Sequence, residues 1–448
     1  MKWIFIAALL LFVPIVAAVL RSRTAYLGHA CFVLGALPFF LNLHLYVAPI
    51  SWASWSGIIK GIEVTVVDAL ALAILLSTRP RLSTPLPIKI FFAVYVAGLV
   101  VSTFAGAGQL MEPSVFYAWQ LLRAVLVYLA VSRATATYPR AAFALIAGMG
   151  VSVLFECVMA TWQYVHGSVQ AGGTLGHRTN IGMMSQSVVM PAFALLFGGF
   201  RRAFPVLIVT AGAVIAYVGA GRATIALYGI GMLITLMLSL RHKVTTRKLV
   251  IGAAAIALLA VCAPVADLAI SRRSTADIES SNQERRALID AAEMMIAEHP
   301  LGVGANNYVL IDNIGGYAER AGVSWFQKSR SEPVHNSYLL VLAELGWIGL
   351  IGLVGLLVSV VALGWSSLRW LPSGESSDLI VGVLGAIIIT SIHSAYEFVP
   401  MMFSMHYMFA MDFGLLTGLT SVALRVRRER AAKSRGHVPD VERTPAMA

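Results

Sequence analysis

Long apolar stretches dominate the pattern of this chain. About ten of them, each roughly 20 residues long, follow one another, and one polar stretch of about seventy residues between Ala266 and Ser337 interrupts them. A helix needs about 20 apolar residues to cross a hydrocarbon core about 30 Å thick. We therefore predict an all-α polytopic membrane protein of about 12 or 13 transmembrane helices, with one large outer loop.

Hydropathy places the spans approximately at 3–20, 26–41, 58–76, 90–104, 117–131, 141–165, 181–200, 203–220, 223–240, 249–266, 337–363, 379–393 and 401–423. Thirteen spans put the N-terminus outside and the C-terminus inside, and twelve would also fit. The pattern divides the chain into an N-terminal helix bundle (1–266), a large outer loop (267–336), C-terminal transmembrane helices (337–423) and a basic tail (424–448).

Composition and charge support this interpretation. Hydrophobic residues make up 58% of the chain and charged residues 12%, which excludes an ordinary soluble domain. The net charge of +11 does not indicate nucleic acid, because the basic residues fall in alternate loops and so follow the positive-inside rule. These residues are Arg79, Arg81 and Lys89; Arg133 and Arg140; Arg201 and Arg202; Arg241, Lys243, Arg247 and Lys248; and the tail from Arg425 to Arg435. Their loops are expected in the cytoplasm, and the 267–336 loop outside.

The sequence indicates no cofactor, metal site or disulfide. Its three cysteines, Cys31, Cys157 and Cys262, lie in apolar segments and are interpreted as small hydrophobic residues. The motifs of zinc hydrolases, P-loop proteins and serine hydrolases are absent from the sequence.

The large loop contains a predicted amphipathic helix at 282–298. Ser281 and Glu284 have the spacing of a capping box, apolar residues recur at helical spacing, and Pro300 follows the helix. Arg286 falls on the polar face beside two acidic residues. Arg285 instead lies in line with the apolar stripe, so its charge requires a specific partner.

Arg222 is the charged residue of the tight turn Gly219-Ala220-Gly221-Arg222, which joins two spans at the predicted outer surface. Arginine is scarce on that side of a membrane. A guanidinium binds phosphate oxygens through paired hydrogen bonds. A diphosphate is therefore a natural ligand for Arg222 and Arg285 together, although Arg222 could also serve as an interfacial anchor for the turn.

His335 precedes the span that follows the loop. Pro333 suits a first helical turn, so His335 is expected near a helix N-terminus, where the helix dipole disfavours imidazolium and leaves a neutral imidazole able to act as a base. A histidine hydrogen-bonded at an interface is the alternative. Weaker candidates on the same side are Arg178, Asn180, Asn336 and Tyr338. The remaining intramembrane charges are Asp68, Arg123, Glu156, Glu344, Glu397 and Asp412, and all except Glu344 are interpreted as interhelical pairs.

Four segments of the chain resemble the bacterial O-antigen ligase and O-antigen polymerase family. The most specific runs from His335-Asn336-Ser337-Tyr338-Leu339 through Ala343-Glu344-Leu345-Gly346-Trp347. The others are Gly173 to Asn180, the hairpin Gly221-Arg222-Ala223, and Arg285 followed by His299-Pro300-Leu301-Gly302-Val303-Gly304. The resemblance covers roughly residues 170 to 360. One departure is Ile289, which stands where the family often has an aromatic residue.

The resemblance implies a glycosyltransferase of the bacterial inner membrane that works on the periplasmic face. Its donor would be a glycan on undecaprenyl diphosphate, and its acceptor either lipid A–core or a second lipid-linked glycan. In the family, arginines matching Arg222 and Arg285 are implicated in binding the diphosphate, and a histidine matching His335 in activating the acceptor hydroxyl, without a metal. The motifs do not separate ligase from polymerase.

A transporter or flippase of lipid-linked glycan is the main alternative class. Transporters usually concentrate their coupling residues near the bilayer midplane, whereas the strongest candidates here gather at the outer surface. A membrane scaffold has only the basic tail in its favour.

Overall fold

The computed structural model describes residues 2–79, 84–105, 110–198, 203–257, 275–398 and 401–434. Helices α1 to α9 are Lys2–Ser22, Tyr26–Ala36, Val66–Ser77, Leu86–Ala105, Met111–Thr137, Arg140–Val165, Arg178–Gly198, Ala203–Val218 and Arg222–His242. Helix α10 covers 246–257, and α11 to α17 are Thr275–Glu298, Tyr308–Ile314, Tyr317–Arg320, Gln327–Arg330, Ser337–Leu368, Glu375–His393 and Phe403–Ser434. Short 3₁₀ segments cover Leu37–Leu43 and Gly173–Leu175, and the strands β1 (Tyr46–Ser51) and β2 (Gly61–Thr65) pair antiparallel.

The prediction of an all-α polytopic membrane protein is confirmed. Ten helices among the described residues are long and apolar enough to cross a membrane, while α3 and α8 are apolar but shorter. Large hydrophobic side chains of α1, such as Trp3, Leu10 and Leu11, are exposed, as expected for a surface in contact with lipid. Helix α7 lies at the centre, since 89% of its span window is buried against 11% for α1.

Two details of the predicted spans differ from the structure, and a third lies partly outside the described residues. The span at 58–76 is helical only from Val66, because the β-branched residues before it pair in the hairpin of β1 and β2. Part of the span at 249–266 lies outside the described residues. Helix α17 continues to Ser434, so the beginning of the predicted tail is helical.

The bundle is held by close helix pairs, of which α4 with α15, α5 with α17, α7 with α16 and α2 with α6 are the most extensive. Gly98 of α4 lies directly against Gly349 of α15, where a Cβ atom would stand 2.6 Å from the facing Cα. Small residues at such crossings let helix backbones approach closely, which is the usual basis of packing between transmembrane helices.

The two ends of the bundle differ. One end, which we call the loop end, carries residues 166–177, the turn 219–221, residues 275–336 and the segment 394–398. The other, which we call the basic end, carries the arginine-rich and lysine-rich connections, where Arg21 donates to the carbonyl of Leu76 and Arg425 to that of Ala136. The candidate site lies at the loop end.

A buried ion cluster ties three parts of the bundle together. The guanidinium of Arg123, 3% exposed, lies 3.0 Å from Asp68 and 3.3 Å from Glu63, and it donates to the hydroxyl of Tyr407. Thr65 caps α3 through reciprocal bonds with Asp68. Asp68 and Arg123, both interpreted from the sequence as members of interhelical pairs, therefore pair with each other.

The other intramembrane carboxylates have different partners. Glu156 accepts hydrogen bonds from Thr174 in the loop before α7, and Glu344 accepts from the backbone N–H of Tyr308 at 3.2 Å. Asp412 is buried. These two bonded carboxylates hold loops of the loop end against the spans.

We expect Arg123→Met to destabilise the protein by about 3 to 5 kcal/mol, because buried Asp68 and half-buried Glu63 would lose their cation. The measurement is the midpoint of thermal unfolding in detergent. The matched control is Arg320→Met, whose pair with Glu298 is exposed on both sides, 48% and 50%, and should contribute little. Equal midpoints for the two variants would contradict the structural role of the cluster.

Candidate functional site

Arg222 stands at the loop end as the first residue of α9. The turn before it has Ala220 in a left-handed conformation, with φ +46, which brings Arg222 directly under α11. Its Nη2 donates to Oδ1 of Asn282 at 3.1 Å. Asn282 lies three residues before Arg285, and side chains at that spacing share one side of a helix. Arg222 therefore contacts the side of α11 that carries Arg285.

Arg285 faces the bundle, whereas Arg286 is exposed. Its Nη1 donates to the carbonyl of Tyr396 at 2.9 Å, and its Nη2 lies 2.7 Å from Oε1 of Glu397. The side chain of Arg285 is 34% exposed, whereas that of Glu397 is 7% exposed. The partner that the sequence required for Arg285 is thus the segment between α16 and α17.

His335 lies on the other side of Glu397. Its Nδ1 is 3.1 Å from Oε2 of Glu397, and its Nε2 is 3.3 Å from Oε2 of Glu332. The ring of Phe398 lies beside it at a tilt of 58°, with the ring centres 5.2 Å apart. Glu397 therefore bridges Arg285 and His335, one oxygen to each. Together with the bond from Arg222 to α11, this bridge brings the three main predicted residues to one place.

The predicted lowering of the His335 pKa is wrong. Burial does lower the pKa of the ring, but the hydrogen bonds to Glu332 and Glu397 outweigh it and raise the pKa above its ordinary value. Pro333 also lies outside the helix, because α15 begins at Ser337 with Asn336 as its N-cap. The dipole of α15 acts on His335, but two carboxylates in direct contact act more strongly.

Both carboxylates are held as anions. Burial raises the pKa of Glu397, yet the hydrogen bonds and charges of His335 and Arg285 lower it to about 2. The bond to His335 likewise lowers the pKa of Glu332, against the effect of burial. From the sequence alone, Glu397 is interpreted as a member of an interhelical pair, and Glu332 is not singled out. The signal for Glu397 is its place in a short polar connection at the outer side, and the signal for Glu332 is its place three residues before His335.

The beginning of α7 adjoins the same site. Arg178 lies beside the turn that carries Arg222, since its Cβ is 3.7 Å from where a side chain on Gly219 would begin. Burial lowers the pKa of His177, which also experiences the charges of Glu397, Arg178 and Glu332. Asn180 is half-buried in the same turn of helix. The loop end therefore brings a third predicted arginine close to the other two.

Asn336 and Tyr338 have clear local bonds. The amide oxygen of Asn336 accepts from the backbone N–H groups of Tyr338 and Leu339 at 2.9 and 3.2 Å, which caps α15. The hydroxyl of Tyr338 donates to the carbonyl of Ser391 at 2.7 Å. These bonds fix the start of α15 beside α16, and substrate contacts by the two residues stay predictions.

The segment His299-Pro300-Leu301-Gly302-Val303-Gly304 fastens α11 to α15, and we call it the clasp. Gly346, with φ +66, interrupts α15 and frees its carbonyls. The backbone N–H groups of Val303 and Gly304 then donate to the carbonyls of Ala343 and Glu344, both at 2.9 Å. The clasp thereby sets the position of Arg285 on α11 relative to His335 before α15.

The start of α11 corrects a further prediction. Ser281 and Glu284 do not form a capping box, because the described helix already begins at Thr275 and both residues lie inside it. The end at Glu298 agrees with the prediction that Pro300 stops the helix.

An apolar groove runs along the bundle from the site. Its cavity volume is 280 Å³, and it lies between α4, α5, α15 and α17. Ser337, Tyr338 and Ser394 line it at the loop end, and Lys89 lines it at the basic end. The side chains between these ends are mainly apolar, with His406 and three tyrosines as the polar members; the apolar ones include Phe92, Leu121, Leu353, Leu357, Phe409 and Phe413. Phe92, Leu353 and Leu357 are half-buried, so the groove is open to the surface of the bundle.

Within the part of the chain that the structure describes, no group of three or more histidine, cysteine or carboxylate side chains could hold a metal ion. Of the cysteines, Cys31 and Cys157 are free thiols, and Cys262 lies outside the described residues.

The fold and the site define a multi-pass membrane protein with a charged site at one end of its helix bundle. Residues 205–354 match the family model described as O-antigen ligase. The match includes Arg222, Arg285, the clasp and His335, and it confirms the predicted resemblance over this region, while the segment Gly173 to Asn180 lies outside the matched residues. The match covers about a third of the chain and supports an O-antigen ligase or polymerase assignment for this region, and with it glycosyl transfer with lipid-linked glycan substrates. No curated protein matches the chain.

We expect Gly302→Ala to loosen the clasp. Gly302 has φ +89, which strains any residue with a side chain, and its new methyl group would stand 2.7 Å from the backbone nitrogen of Gly346. The cost should be about 1 to 3 kcal/mol, measured as a lower midpoint of thermal unfolding. Gly374→Ala is the matched control, because a methyl group there meets nothing within 4 Å. An unchanged midpoint in Gly302→Ala would reject the clasp as a structural element.

Proposed function

We propose that this protein transfers a glycan from undecaprenyl diphosphate to a hydroxyl acceptor, at the periplasmic face of the bacterial inner membrane. The observation that carries the proposal is the convergence of Arg222, Arg285 and His335 at the loop end, directly beside an apolar groove. The acceptor is lipid A–core for a ligase and a second lipid-linked glycan for a polymerase.

The diphosphate would lie between Arg222 and Arg285. Arg222 is exposed, and the bond that the structure gives it is to the neutral amide of Asn282, so its positive charge faces outward without a carboxylate among the described residues. Arg285 keeps a third of its side chain exposed. Two guanidinium groups on one side of α11 offer the paired donors that phosphate oxygens accept. Arg178, beside the same turn, adds positive charge.

The prenyl chain would lie in the groove. Ser337 and Ser394, at its loop end, adjoin the segments that carry His335 and Glu397, so a diphosphate at the arginines and a hydrocarbon chain in the groove belong to one continuous path. The apolar lining replaces the lipid tails that the chain leaves. A donor held in this way presents its sugar at the surface of the bundle, where the second substrate arrives.

His335 would act as the general base. Buried Glu397 holds Nδ1, while Nε2 faces Glu332, whose side chain is 33% exposed. An acceptor hydroxyl that takes the place of Glu332 would donate its proton to Nε2. Its oxygen forms a bond with the anomeric carbon, and the bond from that carbon to the diphosphate oxygen breaks. The electron pair departs with the diphosphate, whose charge the arginines stabilise. One displacement of this kind inverts the anomeric configuration and requires no metal.

The transfer assay tests these roles. Purified His335→Ala, Arg222→Ala and Arg285→Ala proteins, reconstituted in EDTA-containing buffer with lipid-linked donor, should each transfer about 100-fold more slowly than the parent or worse. Arg286→Ala is the matched control, because its exposed side chain lies outside the site on the same helix. Full activity in His335→Ala would reject the assignment of the base.

The acceptor and the alternative class are decided in the same assay. A single addition to lipid A–core indicates a ligase, and a ladder of products indicates a polymerase. Movement of lipid-linked glycan across vesicles, with no new glycosidic bond, would support a flippase instead.

The pH dependence provides a separate test of His335. A base works only when it is deprotonated, and the raised pKa means that the transfer rate should climb with pH through a value above the ordinary one for histidine, about 6.5. Glu332→Gln removes one of the two carboxylates that raise this pKa, so the climb should move to lower pH. The measurement is the initial rate against pH in proteoliposomes, with Glu319→Gln as the control. A profile unmoved by Glu332→Gln would contradict the contact as a determinant of basicity.

A further inference from the structure

A polar cavity lies at the opposite, basic end of the bundle. Its volume is 480 Å³, and it lies between the last turn of α9 and the end of α15 with the segment that follows. The polar part of its lining comes from Arg241, His242, Arg369 and Ser373, while Leu238 and Leu371 supply apolar surface. It lies far along the spans from His335 and Arg222, which stand at the other ends of these same two helices.

The cavity carries uncompensated positive charge. None of its lining residues is acidic, and neither Arg241 nor Arg369 pairs with a carboxylate among the described residues. Arg241 stacks instead on the ring of Trp365, with its guanidinium carbon 5.4 Å from the ring centre. The nearby cation Lys248 is already occupied, because its Nζ donates to the carbonyls of Ser239 and Lys243. The two arginines are therefore free to bind an anion.

A hydrogen-bonding atom in the lining also lacks a partner. The Nε2 atom of His242 is buried and has no hydrogen-bond partner among the described residues. Its ring interacts with the backbone of Leu368 on α15, so the ring is held in place at the wall of the cavity. A buried polar atom of this kind costs free energy unless something in the cavity bonds to it. Because the other ring nitrogen bonds to Leu368, Nε2 can donate to an anionic oxygen only in the imidazolium form, and a bound anion favours that form.

The surroundings indicate a lipid. Trp370, 48% exposed, lies just beyond the cavity with the guanidinium of Arg427 stacked 3.5 Å from its ring centre, an arrangement of aromatic and basic side chains found where a helix bundle meets lipid headgroups. The leucines of the lining are apolar surface that suits acyl chains. Basic pockets between transmembrane helices on the positive side of a membrane suit anionic headgroups.

We propose that this cavity binds the phosphate of an anionic phospholipid, with Arg241 and Arg369 as its cationic ligands and His242 as a further donor. A lipid with two phosphates matches the two arginines. Helices α9 and α15 are not among the extensively packed pairs. A lipid seated between their basic ends links the two helices whose other ends present Arg222 and His335, and so it stabilises the folded bundle. The inference does not depend on the proposed glycosyl transfer.

Lipid binding to the purified, delipidated protein tests the proposal. Cardiolipin and phosphatidylglycerol should raise the midpoint of thermal unfolding and remain bound in native mass spectrometry, whereas phosphatidylethanolamine should do neither. In Arg241→Gln/Arg369→Gln, we expect binding of cardiolipin to be at least about tenfold weaker, because two headgroup contacts are lost. The matched control is Arg140→Gln/Arg428→Gln, which removes the same charge from exposed positions of the basic end and should bind as the parent does.

Two results would overturn the proposal. One is equal cardiolipin affinity in the cavity variant and the control, which would mean that the charge of the basic end as a whole attracts the lipid. The other is equal stabilisation of the parent by inorganic phosphate, which would assign the cavity to a soluble anion. Both readouts are independent of transfer, so a failure of the glycosyltransferase assignment leaves this test intact.

Discussion

The carboxylate of Glu397 is shared between Arg285 and His335, and the candidate site takes its form from that sharing. At 7% exposure, the carboxylate can remain ionised only with direct partners, and each of its oxygens has one. Its partners are Arg285 on α11 and His335 just before α15, and the clasp lies between these two residues in the chain. The contacts that stabilise this buried anion therefore also hold Arg285, a predicted diphosphate-binding residue, beside His335, the predicted base.

The clasp explains why the recognisable motifs of this chain stand where they do. Gly346 breaks the hydrogen-bond ladder of α15, and the freed carbonyls of Ala343 and Glu344 accept from Val303 and Gly304. The motif after α11 and the motif after His335 are two halves of one backbone joint. These glycine-rich motifs are therefore recognisable because the backbone contact requires them. The proposed chemistry depends on the side chains that this contact positions.

The sequence predicted Arg222, Arg285 and His335 because a charge at the edge of a span stands out against an apolar background. It missed Glu397 because a carboxylate beside a span looks the same whether its partner is structural or functional, and the partners lie 112 and 62 residues away. The wrong prediction for the His335 pKa has a related origin. The contact with Glu397 is distant in sequence, and the contact with Glu332, three residues away, depends on how the backbone folds before α15. The predicted capping box at Ser281 is wrong because Ser281 and Glu284 have the spacing of a cap but lie inside a longer helix.

A raised pKa at His335 fits a base whose activation depends on the acceptor. Before the acceptor binds, Glu332 and Glu397 favour the imidazolium, and a donor diphosphate at Arg285 would favour it further. In the proposed reaction, an acceptor hydroxyl that displaces Glu332 removes one of the anions from contact with the ring. The imidazole would then lose its proton more easily when a hydroxyl lies in reach, so the contact with Glu332 would keep the proposed base inactive toward water until the second substrate is in place.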